Sequence, residues 1–279
     1  MIKKGKAASI TQQLSNLAQK EEISYQHLAT SFLIERLVAR LTADKALGEK
    51  LVFKGGYVAL RVYESTRYTI DLDALLLKSN LKETLEQTKN AAEKGIGDAV
   101  WFRLEREVEH ITEEADGGVR QVYRAGIGEP PKNIKRAQVI NFDIGIGDPV
   151  IPGPVPTDTP EMIGNDELSW LVYPVETIIA EKLHASISRG SDNSRSKDIF
   201  DLTHFLPKAD PKTLKKALKE CFSYRKTDLP ENLSKHLSKL DISLLRRGWP
   251  SAVGSIKDAP TCDEAFQKIL TQLKQILNE

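Results

Sequence analysis

Two aspartates, Asp71 and Asp73, stand two positions apart in the run Tyr68-Thr69-Ile70-Asp71-Leu72-Asp73-Ala74-Leu75-Leu76-Leu77. The run is β-compatible, and on a strand positions i and i+2 share a face. Two carboxylates side by side repel unless something positive lies between them, and a hard divalent cation with oxygen ligands, such as Mg²⁺, resolves that repulsion. Upstream, the apolar Leu51-Val52-Phe53 reads as a strand entering a tight turn at Lys54-Gly55-Gly56, and Tyr57 to Glu64 is compatible with a short helix. Glycines let backbone N–H groups approach a phosphate, and a following helix N-terminus adds favourable partial charge. An Asp-x-Asp alone is usually a polar face and a Gly-Gly alone is usually a turn. In this order, one short helix apart, they point to metal and phosphate chemistry.

A second cluster begins at Tyr173-Pro174-Val175-Glu176-Thr177-Ile178-Ile179-Ala180-Glu181-Lys182-Leu183. On a helical projection with Ile178 at zero, Val175, Ile179 and Lys182 fall near 60°, 100° and 40°. Lys182 thus sits inside an apolar stripe, where an ammonium needs an anionic partner or must snorkel outward along its stem. Farther on, Asp198, Asp201, Leu202 and Phe205 follow i, i+3, i+4, i+7 spacing, a face that mixes acids with apolar residues. Lys182 and Asp198 facing each other would satisfy both. On pattern alone an inter-helical salt bridge without catalytic duty is the simpler reading, and contact with a triphosphate is the alternative.

These residues need a scaffold. Residues 25–49 carry apolar positions at helical spacing, and 81–95 return to helix. Trp101 to Ile111, Gln121 to Ala125 and Ala137 to Ile146 read as strands. In the last of these, alternation sets Asn141 and Asp143 opposite Ile140, Phe142 and Ile144. Asp143 is either a solvated residue near a strand end or part of a site. The Pro- and Gly-rich stretch from Gly147 to Pro160 reads as a linker. Beyond Pro174 the pattern is helical: 174–188, 196–206, 211–222, 230–246 and 261–277. The expectation is an α/β domain over residues 1–165 followed by an α-helical domain over 166–279.

Composition narrows the functional classes. Forty basic and thirty-nine acidic residues give a net charge of +1, which excludes a uniformly basic nucleic-acid binder but not a local basic face. The charge is uneven: residues 207–279 carry a balance of +5 and residues 1–206 one of −4. Cys221 and Cys262 are too few for a disulfide framework or a zinc cluster, and suit a reducing cytosol. No apolar run reaches the roughly 18 residues of a membrane helix, and the N-terminus lacks the apolar core of a signal peptide. A cytoplasmic protein that does not enter the membrane is expected. The five histidines are scattered, with His27 and His184 read as surface residues, and Trp101, Trp170 and Trp249 read as packing residues.

Lys54-Gly55-Gly56, Leu60-Arg61 and Arg67-x-Thr69-x-Asp71-x-Asp73 together resemble the first motif of nucleotidyltransferases of the DNA polymerase β type. The likeness is to the AbiEii/AbiGii toxin branch, found in bacterial toxin–antitoxin and phage-defence loci, where Gly-Gly is common in place of Gly-Ser. Glu181-Lys182-Leu183 and Arg195-Ser196-Lys197-Asp198-Ile199-Phe200-Asp201-Leu202 match further motifs of that family. The resemblance spans about residues 50 to 206. It implies a small, mixed, twisted sheet carrying the acids on adjacent strands, with a helical C-terminal domain closing over the cleft. It implies transfer of a nucleoside monophosphate from an NTP to an RNA acceptor such as the 3′ end of a tRNA, with an antitoxin encoded nearby. Asp71, Asp73 and Asp143 would then bind Mg²⁺, with Asp143 also helping to deprotonate the attacking hydroxyl. Lys54, Gly55, Gly56, Arg67, Arg195 and Lys197 would contact nucleotide or acceptor. Lys182 would steady the triphosphate, oriented by Asp198. The competing readings are a non-catalytic nucleotide-binding regulator and an enzyme of the same metal chemistry that modifies a protein.

Overall fold

The computed structural model describes residues 4–77, 80–110, 117–254 and 256–278; Ile111, the expected end of one strand, lies outside the described residues. The chain divides into two compact units. The first comprises Met1–Val58, Tyr68–Gly147 and Val155–Val172; the second comprises Ala59–Arg67, Asp148–Pro154 and Tyr173–Glu279.

The first unit is built on seven strands: β1 Leu51–Lys54, β2 Asp71–Leu76, β3 Val100–His110, β4 Gly118–Ile127, β5 Gln138–Ile146, β6 Val155–Pro160 and β7 Glu167–Val172. They form one mixed sheet in the order β3-β4-β5-β2-β1-β7-β6. β2 runs parallel to β5 and β1 parallel to β7, while the other neighbours are antiparallel. Helices α1 Lys4–Lys20, α2 Tyr25–Ala43, α3 Lys45–Gly48 and α5 Leu81–Glu93 belong to this unit, and α4 Gly55–Arg61 leaves it after Val58. The mixed α/β architecture expected from the sequence is the one observed.

Burial explains the strands. Leu72 and Ala74 of β2 and Ile140, Phe142 and Ile144 of β5 are buried, and the residues between them are half-buried. This is the alternation of a sheet with one face on the core. Helix α2 packs against β5 and β7 and is buried almost all round, rather than amphipathic. Even Glu35, Arg36 and Arg40 are inside. Each is paired: Glu35 accepts from the Met162 amide at 3.0 Å, Arg36 reaches Glu161 at 2.6 Å, and Arg40 grips Asp98 at 2.6 and 2.8 Å.

The second unit is helical: α6 Val175–Arg189, α7 Ser196–Phe205, α8 Pro211–Tyr224, α9 Leu233–Leu237, α10 Ser243–Val253 and α11 Cys262–Leu277. Its ends carry recognisable caps. Asp210 accepts from the Thr213 amide with Pro211 in the first turn of α8, and Thr261 with Glu264 forms a capping box on α11.

Three expectations change. The helix expected over 25–49 stops at Ala43, because Asp44 turns to accept from the amides of Ala46 and Leu47 and starts α3. The expected linker is strand β6 in its second half; Pro156 and Pro160 are tolerated there because β6 is an edge strand, paired only with β7. The expected helix over 230–246 is two, with Asn232 capping α9 and Ser243 opening α10. Helix α1 and strand β7 had no counterpart in the sequence reading.

The Arg40–Asp98 pair, which also gives Val100 a donor to its carbonyl at 2.9 Å, ties α2 to the start of β3. Its side chains are nearly inaccessible, so deleting one partner strands a charge. Arg40→Met is expected to cost about 3–5 kcal/mol in urea unfolding, and adding Asp98→Asn should recover part of that loss.

Candidate active site

The expected acids lie where four strands meet in register. Lys54 of β1 is opposite Asp73 of β2, Asp73 is opposite Asp143 of β5, and Asp143 is opposite Arg120 of β4. Opposed residues share a face, so these side chains form one row: cation, acid, acid, cation. All four are half-buried. One step along, Asp71 is opposite Asn141, whose amide donates to Asp71 Oδ1 at 2.8 Å.

Gly55 fixes the other end of the row. Its φ is +73°, a backbone region that side chains rarely enter, and a Cβ there would overlap Asp73 Oδ2 and lie 2.7 Å from Asp73 Cγ. The Asp73 carboxylate therefore folds over the glycine turn, which places the expected phosphate-facing backbone against one of the expected metal-binding acids. The helix that follows, α4, has only seven residues.

Arg120 was not anticipated. It donates from Nε to Asp143 Oδ1 at 2.7 Å and from Nη2 to Asp143 Oδ2 at 2.6 Å, a two-pronged charge-assisted pair. The Asp143 hydrogen bond, and then the charges of Asp143, Asp71 and Asp73, raise the guanidinium pKa despite partial burial. All three acids thus lie within electrostatic reach of one arginine. The strand alternation that revealed Asp143 also places Arg120 on this face, but only the register, invisible in the sequence, sets the two opposite each other.

The donor chemistry of Asp71 and Asp73, hard oxygens on one face beside a glycine turn, fits a hard divalent cation such as Mg²⁺. Among the described residues no group of three acidic, histidine or cysteine side chains is placed to hold a metal ion, and Arg120 holds both oxygens of Asp143.

In the helical unit, Lys182 of α6 is the centre of a second charge system. Its Nζ donates to Asp198 at 2.6 Å and to Asp201 at 2.8 Å, both on α7. Asp198 also pairs with Arg195 at 3.0 Å, and Arg67 sets its fork on Asp201 at 3.1 and 2.9 Å. Signs alternate along the chain Arg195, Asp198, Lys182, Asp201, Arg67. The expected Lys182–Asp198 pairing is present, but the deeper partner is Asp201, 1% exposed, held from two sides. Burial pulls the Lys182 pKa down, and Asp198 and Asp201 outweigh it, so the net direction is up. Burial pushes Asp201 up, and Lys182 with Arg67 more than reverses it, so its pKa is lowered. Lys197 is exposed on the first turn of α7.

The aromatic and histidine readings resolve unevenly. Trp101, Trp170 and Trp249 are buried packing residues. His184 is not a surface residue: it is buried, 2.9 Å from Thr227 Oγ1 and edge-on to Phe222, because α6 is enclosed on that side by α8.

Residues 36–272 match the family described as nucleotidyl transferase AbiEii toxin, type IV TA system. The chain belongs to this family and is a nucleotidyltransferase. Its fold is similar to a crystal structure of a candidate nucleotidyltransferase from H. pylori, with a TM-score of 0.57 and 20% identity over 92% of this chain and 96% of that one. It is also similar to JHP933 from Helicobacter pylori, with a TM-score of 0.55 and 19% identity over 91% of this chain and 93% of that one. No curated protein matches the sequence significantly.

The buried pair sets a pH test. Asp201 has a folded pKa below its unfolded value of about 3.9, so its stabilisation is complete above that pH and is lost as pH falls through the folded value. Asp201→Asn should cost about 3–5 kcal/mol near neutral pH in denaturant unfolding, with the gap to wild type shrinking below about pH 4. A gap independent of pH would remove the charge from the explanation.

Proposed function

We propose that this chain transfers a nucleoside monophosphate from an NTP to a hydroxyl of an RNA acceptor, the 3′ end of a tRNA, in a Mg²⁺-dependent reaction in the cytoplasm. It would act as the toxin of a phage-defence pair whose antitoxin is encoded nearby. The observation that carries the reading is the same-face pair Asp71 and Asp73, with Asp73 lying against the Gly55 turn, within a chain of this nucleotidyltransferase family. Bound Mg²⁺ would supply neutralisation of the triphosphate and of the charge that develops as pyrophosphate leaves.

The chain's own groups have these roles in the proposal. Asp71, Asp73 and Asp143 hold the cation, with Asn141 fixing the orientation of Asp71. The backbone at Gly55 and Gly56 faces phosphate, and Lys54, next to Asp73 in the row, offsets its charge. Asp143 takes the proton of the attacking hydroxyl. Lys182, 14% exposed at its side chain, presents its positive charge to the triphosphate while Asp198 and Asp201 fix its position. Arg195 and Lys197 contact phosphate or the acceptor; Arg67 positions Asp201 and, through it, Lys182.

The acceptor surface follows from α8. Leu214, Ala217, Leu218, Cys221 and Phe222 are buried, which turns Lys212, Lys215, Lys216 and Lys219 outward together. Like charges at i, i+3, i+4 and i+7 repel mildly unless a polyanion meets them. No ion pair engages any of the four among the described residues. This stripe suits the backbone of RNA rather than its bases.

Incubation with each radiolabelled NTP, Mg²⁺ and total tRNA tests the whole reading. Label should appear on RNA. Label on protein would indicate a protein-modifying enzyme, and nucleotide binding without transfer a regulator. Asp73→Asn should abolish transfer while the thermal midpoint stays near wild type, because removing one of two facing acids relieves repulsion. Wild-type turnover by that variant at saturating Mg²⁺ would overturn the metal assignment. Changing Lys212, Lys215 and Lys219 to Glu should raise KM for RNA and flatten its salt dependence without altering NTP affinity. Unchanged RNA kinetics at two salt concentrations would move the acceptor site to Arg195 and Lys197.

A further inference from the structure

Arg120 has no place in the roles above, and its position demands one. It is the antiparallel partner of Asp143, the expected third acid, and it occupies both of that acid's oxygens at 2.7 and 2.6 Å. We infer that Arg120 is a built-in competitor of the divalent cation: it neutralises the acidic face in the metal-free enzyme and must release Asp143 before that carboxylate can serve the reaction. The inference rests on reading Asp71, Asp73 and Asp143 as the metal-facing acids.

Three observations carry it. First, the three acids share one face on neighbouring strands, and without a cation their repulsion needs an internal counter-charge. Second, the residue that supplies it is an arginine, whose planar fork matches a carboxylate with two parallel bonds, where a lysine would offer a single point charge. Third, the pair is not sealed. Arg120 and Asp143 are 33% and 25% exposed at their side chains, against 10% and 1% for Arg67 and Asp201. Water screens such a pair and can take over its hydrogen bonds, so it can open, whereas the Arg67 pair has no such route. A divalent ion at comparable distance offers a carboxylate twice the Coulomb attraction of a guanidinium and can displace it.

The consequence is an exchange of one cation for another at Asp143. The apo enzyme keeps its third acid neutralised by Arg120, and that carboxylate turns to the divalent cation only when the site is loaded. Arg120 is thus a positioning residue that acts through Asp143.

Mn²⁺ binding to the full chain, followed by electron paramagnetic resonance titration without NTP, reads this directly. Arg120→Gln should bind Mn²⁺ about tenfold more tightly than wild type, since a competing charge is gone. Arg120→Gln combined with Asp143→Asn should lose that gain, because the released oxygens are its source. Arg120→Lys, which keeps the charge and loses the fork, should fall between, and serves if the glutamine variant does not fold. Unchanged or weaker Mn²⁺ binding in folded Arg120→Gln, with wild-type binding abolished by Asp71→Asn, would overturn the inference and leave the metal reading standing. No Mn²⁺ binding in either background at millimolar metal would overturn both.

Discussion

Two carboxylates facing each other across neighbouring strands are the constraint around which the first unit is organised. Asp73 and Asp143 are register partners on parallel strands, an arrangement that by itself destabilises a sheet. The sheet offsets it by continuing the row into β1 and β4, where Lys54 and Arg120 stand on the outer sides. Register is doubly determined as a result. A one-residue slip of β5 would expose Ile140, Phe142 and Ile144, and would also turn Asp143 into the core with no cation to meet it. The apolar face and the charged face thus specify the same pairing.

The two charge systems solve the same problem at different depths. In the helical unit, Asp201 and Arg67 are nearly inaccessible and Lys182 only slightly exposed, signs alternate strictly, and every member has a partner of opposite sign. Such a chain is costly to break and is suited to holding a group still. In the sheet the charges are half-buried and the two acids are adjacent rather than separated, with one cation on each outer side. That arrangement is suited to accepting a further cation. A buried alternating network positions; a more exposed one, with its acids side by side, exchanges.

Much of the site was legible because it is local. Asp71 and Asp73 share a face by strand period alone, Gly55 announces a turn by type, and Lys182 stands out as a lysine within an apolar stripe. The partners that complete these features are distant in sequence. Arg120 reaches Asp143 across a hairpin, and Arg67 reaches Asp201 across 134 positions. Both contacts follow from register and packing rather than period. Burial follows packing in the same way: Glu35, Arg36 and Arg40 of α2 are inside because each has a partner on another segment, Met162, Glu161 or Asp98. Strand β6 hid behind its prolines, which mark a linker in a sequence and an edge strand in a sheet.

The connection between β1 and β2 begins and ends on one row of the sheet. Because Lys54 and Asp73 are antiparallel partners, everything between them must leave the sheet and return to the same row. The departure is made at Gly55, where only a residue without a Cβ leaves room for the returning Asp73 carboxylate. The excursion then contributes Ala59–Arg67 to the helical unit, and its last residue is the arginine that holds Asp201. One stretch of chain therefore sets the acid of the sheet at one end and the anchor of the Lys182 network at the other.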